Sequence, residues 1–496
     1  MAIIIAGERS GVGKTTVTLA LLAALRQRHQ MVQSFKVGPD YIDPMFHRHV
    51  TGRECRNLDP ILTSEAYVQE CFAHHSLGSQ YVLIEGVMGL FDGASGQDDI
   101  ASTAHVARLL NVPVVLILNC SSLSRSVAAI AHGYRSFDPR VQIAGVVLNR
   151  VGSDRHLELL TQALVPLNLP ILGVLRRQDD ITIPDRHLGL VPTVELNNLN
   201  VVVERLAQLG ETCFDWAKLL PLLECGKEGV GRSPAAEFLC AVDGHFAQVG
   251  KPAHASVLRR TGVRQWGVGK GADPLKPRIR LAIAQDEAFN FYYADNLDLL
   301  QHLGAELVSW SPMRDRALPE GVQGLYFGGG FPEVFAAALT ENLPARQSVQ
   351  AAIQAGMPTY AECGGLMYLC EQIVDFAENS HPMVGIFPTT AVMGKRLTLG
   401  YRQATALQNS PLVMVGDRLW GHEFHRSSLT QSPEQPLLAL QGYDSNLQSP
   451  SEGWQRYQVH ATYTHLHFGA QPRLAERFLQ HCAIWGDVAK VVKQLR

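Results

Sequence analysis

The segment that most constrains the fold is a glycine-rich loop at residues 7–16, which follows an apolar run at residues 2–6 and precedes an Ala- and Leu-rich segment. A strand, a glycine-rich loop and a helix in this order place backbone N–H groups around phosphate oxygens, and the helix N-terminus adds partial positive charge. Within the loop, Lys14 can reach the outer phosphates and the Thr15 hydroxyl can bind Mg²⁺. The segment predicts a nucleoside triphosphate site for ATP or GTP. Its expected members are Gly11, Gly13, Lys14, Thr15 and Thr16.

The same alternation of short apolar runs and helix-length segments continues through the first 200 residues. Runs that are apolar on both faces and separated by helices indicate βαβ crossovers and a parallel sheet covered by helices. The further runs lie at residues 32–37, 81–84, 112–118, 143–148 and 171–175, and clear helical patterns lie at 15–28 and 124–134.

The length of 496 residues indicates more than one domain. The pattern weakens at residues 225–277, where glycine, proline and polar residues accumulate. We therefore expect a nucleotide-binding domain at 1–224, a linker at 225–277 and a second α/β domain at 278–496. Strands of the second domain are expected at residues 278–284, 324–327 and 359–361, with a helix at 294–303.

Composition excludes several classes of function. Lys plus Arg number 43 against 46 for Asp plus Glu, so no basic excess favours nucleic acid as a partner. No apolar run reaches the roughly 18 residues that a membrane helix needs. Nine cysteines without a Cys-x-x-Cys pair, behind no secretory signal, favour the reducing cytoplasm.

Acidic side chains follow two of the predicted strands. Asp40 and Asp43 come after the strand at 32–37, and Glu85 and Asp92 come after the strand at 81–84. Ligands of open parallel sheets bind outside the carboxyl ends of the strands. We therefore expect a Mg²⁺ site of Thr15, Asp40 and Glu85, and a substrate site of Asp40, Tyr41, Asp43 and Asp92. A carboxylate in a turn also commonly caps a helix or faces water, and this alternative stays open for Asp92, Asp40 and Glu85.

Two other segments are candidates for contacts with the nucleotide base or the substrate. Asn149 ends the apolar run at 143–148, and we include it among the expected ATP-binding residues. Residues 186–190 follow the last predicted strand of the first domain. Either segment alone would be an ordinary loop.

A candidate nucleophile lies in the second domain. Cys363 stands between a predicted strand and an amphipathic helix and is followed by two glycines. A cysteine on such a turn is expected to be exposed, to lie near a helix N-terminus that favours the thiolate, and to be close to N–H groups that can bind an oxyanion. The expected oxyanion donors are Gly364 and Gly329, the latter from the glycine loop after the strand at 324–327. The other eight cysteines are expected to be packing residues.

The expected base is a histidine near the C-terminus. His465 and His467 are two residues apart, which places both on one face of an extended strand. His465 is the predicted partner of Cys363. A metal pair is the alternative, with His422 and His425 as further candidate ligands.

At this point the motifs resemble the cobyrinate a,c-diamide synthase family over nearly the whole chain. The first half is similar to dethiobiotin synthetase, which shares one extra residue between Gly7 and Gly13 relative to the standard phosphate loop. The second half looks like a class I, triad-type glutamine amidotransferase domain. The resemblance is carried by residues 7–16, 35–44, 57–59, 85–93 and 361–365.

The resemblance implies an ATP- and glutamine-dependent amidation of the a and c carboxylates of a cobyrinic acid-type tetrapyrrole in cobalamin biosynthesis, with Mg²⁺ as cofactor. Phosphoryl transfer would convert the carboxylate to an acyl phosphate that ammonia attacks. Cys363 and His465 would release that ammonia from L-glutamine. Class I domains usually continue as His-x-Glu, whereas this chain has His467, so we predict a dyad with an unassigned third member.

Related activities remain open at this stage. Hydrogenobyrinate and nickel-sirohydrochlorin a,c-diamide synthases use similar motifs. Cobyric acid synthase would lack the Gly-Pro-Asp-Tyr segment at residues 38–41, and dethiobiotin synthetase would lack a glutaminase domain. A regulatory ATPase switch of the partitioning type fits the phosphate loop and Arg9, but it would not need Cys363. A homodimer is left open.

Overall fold

The computed structural model describes residues 2–177, 184–187, 189–196, 198–223, 279–443 and 451–494. The linker predicted at 225–277 lies outside these residues, so the domain boundaries stay a prediction. The predicted fold class is confirmed, because a parallel sheet flanked by helices is followed by a second α/β arrangement.

The first sheet has seven parallel strands in the order β3-β2-β4-β1-β5-β6-β7. Every residue of β1, β2 and β5 is buried, as expected for strands covered on both faces. The strand predicted to begin at Val112 begins at Val114, after Pro113, which has no N–H to donate to the sheet. The strands are β1 (Ala2–Gly7), β2 (Val32–Val37), β3 (Arg56–Leu58), β4 (Tyr81–Glu85), β5 (Val114–Asn119), β6 (Ile143–Val151) and β7 (Ile171–Arg176).

Helices cover both faces of this sheet. Ile3 and Ile5 of β1 face one core with the helix that follows the phosphate loop, and Ile4 and Ala6 face the other. A short hairpin of β8 (Asp185–Arg186) and β9 (Gly189–Leu190) follows β7. The helices are α1 (Lys14–Gln27), α2 (Ile42–Thr51), α3 (Glu65–Ser76), α4 (Thr103–Leu110), α5 (Ser126–Phe137), α6 (Asp154–Leu164), α7 (Leu199–Cys213) and α8 (Trp216–Leu223).

The second part contains a six-stranded sheet in the order β11-β10-β12-β13-β20-β19, parallel except for β19. Its strands are β10 (Ile279–Ala284), β11 (Ala305–Trp310), β12 (Gly324–Phe327), β13 (Thr359–Glu362), β19 (Trp454–Arg456) and β20 (Val459–Thr462). Its helices are α9 (Ala294–His302), α10 (Ala336–Glu341), α11 (Leu343–Gln354), α12 (Gly364–Leu369) and α13 (Arg473–Gln494).

A third, mostly antiparallel sheet was not predicted. Its order is β15-β14-β16-β17-β21, with β18 also paired to β16. The strands are β14 (Cys370–Val374), β15 (Ser380–Pro382), β16 (Phe387–Ala406), β17 (Arg418–Leu429), β18 (Leu438–Gly442) and β21 (His465–Leu466). Much of β16 is only half-buried and mixes polar with apolar residues, so no apolar run marks it in the sequence.

Buried polar contacts join the two parts of the chain. The Arg56 guanidinium lies 3.0 Å from Asp295 of α9, and the Tyr401 hydroxyl of β16 donates to Asp59 over 2.8 Å. Asp59 directly follows β3, so the second contact joins the carboxyl end of β3 to the third sheet. A search of the described residues finds no helix with the length and apolar character required to cross a membrane.

Candidate active site

The phosphate loop has the backbone shape that its glycines allow. Gly11 and Gly13 have φ angles of 76° and 97°, in a backbone region that residues with a Cβ rarely adopt. Gly13 is the N-cap of α1, so the first N–H groups of the helix have no partners within it and face the loop. The loop and helix therefore present donors to an anion.

Lys14 lies buried within this loop. Its ammonium donates to the Met88 carbonyl over 2.5 Å and to the Arg9 carbonyl over 3.3 Å. Burial and repulsion from Lys36 lower the pKa of Lys14 to about 8. The side chain is thus held at the mouth of the loop by carbonyl groups that a phosphate could replace.

Asn149 supports the loop from behind. Its amide donates to the Val12 carbonyl over 2.8 Å, and its oxygen accepts from the Arg150 N–H over 2.8 Å. Both polar ends of the side chain are therefore used within the protein. A contact of Asn149 with ATP stays a prediction, and its position supports a role in shaping the loop.

A buried lysine holds the acidic residues together. The Lys36 ammonium lies 2.5 Å from Asp43, 3.0 Å from Glu85 and 3.9 Å from Asp40. Burial would lower the pKa of Lys36, but the three carboxylates raise it above its ordinary value. Burial and repulsion from the other two carboxylates raise the pKa of Asp43 to about 8.

Glu85 is fully buried and has several partners. It accepts a hydrogen bond from the Thr15 hydroxyl over 2.7 Å and lies 2.7 Å from His47. Burial alone would lower the pKa of His47, but Cys55 and Glu85 raise it to about 10. Glu85 is therefore ionised between a lysine and a protonated histidine.

Asp40 and Asp92 both have structural contacts as well as access to the site. Asp40 caps α2 by accepting from the N–H groups of Ile42 and Asp43 over 2.8 and 3.1 Å. Asp92 accepts from the Gly89 N–H over 2.8 Å. The helix-capping alternative thus describes one oxygen of Asp40, while the other faces Lys36.

A cavity of about 840 Å³ joins these residues to the second part of the chain. One wall carries the predicted nucleotide and substrate residues, apart from Asn149. Gly189 and Leu190 of the β8–β9 hairpin also line it, as expected for the segment at 186–190, whereas Arg186 pairs with Glu195. The opposite wall is formed by Phe291, Leu399, Gly400, Tyr401, His422 and Phe424.

Cys363 lies at a strained turn between β13 and α12. Its φ and ψ angles are 48° and −100°, an uncommon conformation for a residue with a side chain. Gly364 and Gly365 leave no room for a Cβ, because Pro332 and Phe327 approach within 2.9 and 2.6 Å of those positions. This is the sharp strand-to-helix turn expected for a nucleophile.

The expectation that Cys363 is exposed and favoured as a thiolate is wrong, because the residue is buried and its thiol is neutral at rest. Burial raises the pKa of Cys363 and Glu333 raises it further, while the Gly364 N–H opposes the shift. As the first residue of α12, Gly364 has an N–H without a helical acceptor. The geometry is that of a thiol that needs a base before it can attack.

His465 lies beside the glycine loop that faces this turn. A Cβ at Gly329 would come within 2.7 Å of the His465 ring, and the Gly365 N–H donates to Gly328 over 3.1 Å. His465 therefore borders the loop that touches the cysteine turn. His467 points elsewhere, with its Nε2 atom 3.5 Å from Asp295.

Glu362 supplies a carboxylate that the sequence motif lacks. Its Oε2 atom lies 3.8 Å from Nδ1 of His465. It accepts hydrogen bonds from the hydroxyl groups of Tyr326 and Tyr360 and from the Leu466 N–H. All of these partners donate to the carboxylate, which lies buried beside the histidine.

Aromatic rings separate His465 from the cavity. The Tyr41 ring centroid lies 5.3 Å from that of His465 and 5.3 Å from that of Phe291. His422 of β17 pairs in register with His465 of β21, and their rings stack at 5.0 Å. Since Tyr41, Phe291 and His422 also line the cavity, one layer of side chains divides the two sites.

Sequence reasoning missed Lys36, His47 and Glu362. Lys36 occupies a strand position between buried residues, which is an unusual place for a lysine and was the available signal. The metal alternative is not supported: among the described residues, the ligand cluster within 4.8 Å is Cys71, His75 and Asp295. Neither His422 nor His425 belongs to it.

Comparisons with known proteins agree with the division of the chain into a nucleotide-binding part and a part that carries the cysteine turn. Residues 3–191 match the CobQ/CobB/MinD/ParA nucleotide binding domain, and residues 280–473 match the CobB/CobQ-like glutamine amidotransferase domain. A nucleotide-binding domain joined to a glutamine amidotransferase domain defines a class of glutamine-hydrolysing amidoligases.

Full-length relatives narrow this class. The chain is 60% identical over 482 residues to the cobyrinate a,c-diamide synthase of Synechococcus sp., covering 97% of this chain and 98% of the relative. It is 50% identical to the cobyrinate a,c-diamide synthase of Synechocystis sp., and the match covers 97% of this chain and 93% of that relative. It is 43% identical to the hydrogenobyrinate a,c-diamide synthase of Streptomyces coelicolor, covering 97% of each. The chain belongs to the cobyrinate a,c-diamide synthase family.

Proposed function

We propose that the protein converts the a and c carboxylates of cobyrinic acid to amides, using ATP and L-glutamine, in cobalamin biosynthesis. The observation that carries the proposal is the contact between Tyr41, in the wall of the acidic cavity, and His465, beside the cysteine turn. A carboxylate-activating site and an ammonia-producing site that share one wall suit a coupled amidation.

In the cavity, the phosphate loop binds the triphosphate and Lys14 leaves its carbonyl partners to contact the outer phosphates. The substrate carboxylate attacks the γ-phosphorus, and the resulting acyl phosphate has a leaving group that ammonia can displace. Asp40 and Asp43 lie where the substrate edge would meet the phosphates. Lys36 offsets their charge and so permits two anionic substrates to approach.

The oxygen atoms near Thr15 fit a Mg²⁺ ion. The Thr15 hydroxyl oxygen lies 2.7 Å from Glu85 and 3.4 Å from Asp43. These separations bracket the roughly 3 Å edge of an octahedron whose metal–oxygen distance is about 2.1 Å. Thr15, Glu85 and Asp43, with Asp40 beside them, would hold the ion. When bound, Mg²⁺ supplies charge neutralisation for the transferring phosphoryl group.

At the other site, His465 takes the proton of the Cys363 thiol as sulfur attacks the glutamine amide carbon. The N–H groups of Gly364 and Gly329 are proposed to bind the oxyanion that forms. His465 returns the proton to the leaving nitrogen, which departs as ammonia, and water then hydrolyses the thioester to glutamate. Glu362 is proposed as the third member, orienting His465 through its Nδ1 side.

Ammonia then passes through the shared wall. Burial and the nearby His465 lower the pKa of His422 well below its ordinary value, so this ring stays neutral. Its Nε2 atom has no hydrogen-bond partner among the described residues. A neutral imidazole whose Nε2 atom is free between the sites can exchange a hydrogen bond with ammonia without trapping it as an ion, and exclusion of bulk water prevents protonation.

The test is to incubate the protein with ATP, Mg²⁺ and glutamine, in separate reactions with cobyrinic acid and hydrogenobyrinic acid. We expect a diamide, detected by mass because each step replaces OH by NH₂, with equal yields of ADP, glutamate and new amide. If the protein prefers the metal-free ring, its activity would be that of a hydrogenobyrinate a,c-diamide synthase, the name of the Streptomyces coelicolor relative. ATP hydrolysis without amide formation on either ring would contradict the proposal.

The cellular setting follows from the chemistry of the thiols. The cysteines within the described residues are all free, and a reducing cytoplasm maintains that state. We propose a cytoplasmic location on this ground. The homodimer stays a prediction that a measurement of molar mass in solution would test.

A further inference from the structure

The long strands β16 and β17 pair along most of their length but are interrupted by a bulge. Met393 pairs with Ser427, and the next pair is Thr398 with His425. Residues 394–397 therefore oppose Arg426 alone. We name this segment the 394–397 bulge. Bulges of this kind redirect side chains out of the sheet and often border functional sites.

The bulge carries two adjacent positive charges. The side chains of Lys395 and Arg396 are exposed, and neither forms a hydrogen bond or ion pair with the residues that the structure describes. Two other arginines of the same sheet are engaged: Arg402 pairs with Glu423 over 2.5 Å, and Arg426 donates to backbone carbonyls. The bulge thus presents charge that the fold itself does not use.

The bulge lies at the rim of the cavity. The residues that follow it on β16, Leu399, Gly400 and Tyr401, line the cavity wall. The Arg426 guanidinium joins the Lys395 carbonyl, at 2.6 Å, to the His187 carbonyl, at 3.0 Å. His187 sits in the β8–β9 hairpin, whose glycine and leucine line the cavity from the other side.

The cavity itself offers little charge to a polyanionic ring. Three basic residues line it: Lys36 is already surrounded by carboxylates, Lys14 is placed for phosphate, and Arg150 follows Asn149, which contacts the phosphate loop. The acidic cluster repels further anions. A volume of about 840 Å³ is that of a site for one small ligand, yet ATP and the reacting edge of a tetrapyrrole must share it. The rest of the macrocycle must then extend past the rim.

We propose that Lys395 and Arg396 bind side-chain carboxylates of the tetrapyrrole that are not amidated, and so select a polyanionic ring and orient its a and c edge toward Asp40. This inference rests on the proposed function. The apolar wall at Leu399 and Phe424 would contact the ring face, while the bulge would contact its charged periphery. Arginine and lysine are the side chains suited to such carboxylates.

The experiment compares steady-state kinetics of the unchanged protein with Lys395→Ala, Arg396→Ala and the double variant. We expect the double variant to raise KM for the tetrapyrrole about tenfold, the combined effect of two exposed ion pairs of ordinary strength. KM for ATP, KM for glutamine and the glutaminase rate should stay unchanged, which also shows that the variant is folded. Increased ionic strength should raise the tetrapyrrole KM of the unchanged protein more than that of the double variant.

Two controls separate this role from a general effect of charge. Arg140→Ala removes an exposed charge, paired with Asp138, that precedes the amino end of β6, opposite the site, and should leave the tetrapyrrole KM unchanged. Lys395→Arg keeps the charge and should keep the KM. If the unchanged protein amidates the tetrapyrrole but the double variant has the same KM, the inference is wrong while the proposed function stands. If the unchanged protein forms no amide, the proposed function itself fails.

Discussion

The ring of Tyr41 lies against the ring of His465, with centroids 5.3 Å apart, and this contact joins the two halves of the protein. Tyr41 follows Asp40 in the loop after β2, and His465 begins β21. A residue of the synthetase cavity therefore forms part of the wall of the glutaminase site. Under the proposed function, this contact places the release of ammonia next to its use.

Removal of this ring should uncouple the two reactions. In Tyr41→Ala, we expect ammonia to escape to solvent, so that the ratio of glutamate formed to amide formed rises severalfold. Tyr41→Phe keeps the ring packing and should keep the ratio of the unchanged protein. Glutamate and amide are measured in the same reaction, and an unaltered ratio in Tyr41→Ala would show that ammonia is confined elsewhere.

Glu362→Gln should impair the glutaminase alone. The substitution replaces a carboxylate oxygen beside His465 with an amide N–H₂ group among donors, which costs about 1–3 kcal/mol for an unpaired buried group. We expect the glutaminase kcat to fall at least about tenfold, as when the orienting carboxylate of a triad is neutralised. Ammonia-dependent amidation should be retained, and Tyr326→Phe, which removes one donor without changing charge, should have a smaller effect. If Glu362→Gln has the same glutaminase kcat as the unchanged protein, Glu362 is not the third member and the site is a dyad of Cys363 and His465.

Asp40→Asn should damage amidation with either nitrogen source. Asparagine can still cap α2, so the variant removes charge from the substrate site with little change to the fold. We expect a loss of about 100-fold in the rate of amide formation, comparable to removal of one preorganised electrostatic group. The glutaminase rate is the control. An unaffected ammonia-dependent rate would show that Asp40 has no role in the synthetase site.

The pKa of Lys14 predicts how ATP use depends on pH. A pKa of about 8 means that Lys14 is charged below pH 8 and neutral above it in the free protein. The kcat/KM for ATP should therefore fall as pH rises through about 8, because this parameter reports groups of the free enzyme. Lys14→Arg keeps its charge and should remove this decline, whatever its activity. A flat kcat/KM profile from about pH 7 to about pH 9 would contradict the assignment.

Local patterns in the sequence predicted the parts of the fold that local interactions determine. The phosphate loop, the cysteine turn and the buried parallel strands each have a signature within a short segment. The half-buried strand β16 has none, because its residues face solvent and neighbouring strands in a pattern set by its partners.

The missed site residues depend on contacts between distant segments. Glu362 is adjacent to Cys363 in sequence, but its approach to His465 arises from the pairing of β13 with β20, where it faces Thr462. Lys36 and Glu85 meet because β2 and β4 are neighbours in register. The sequence shows these residues, but it does not show which distant residues they contact.

The central claim is that one chain makes ammonia at Cys363 and consumes it at the acidic cavity. The most direct measurement is amide formation by Cys363→Ala with saturating ATP and tetrapyrrole, using glutamine in one reaction and ammonium in the other. The account predicts that the glutamine-dependent rate falls at least about 1000-fold, as for loss of a nucleophile, while the ammonia-dependent rate is largely retained. Equal loss of both rates would contradict the assignment of two separate sites.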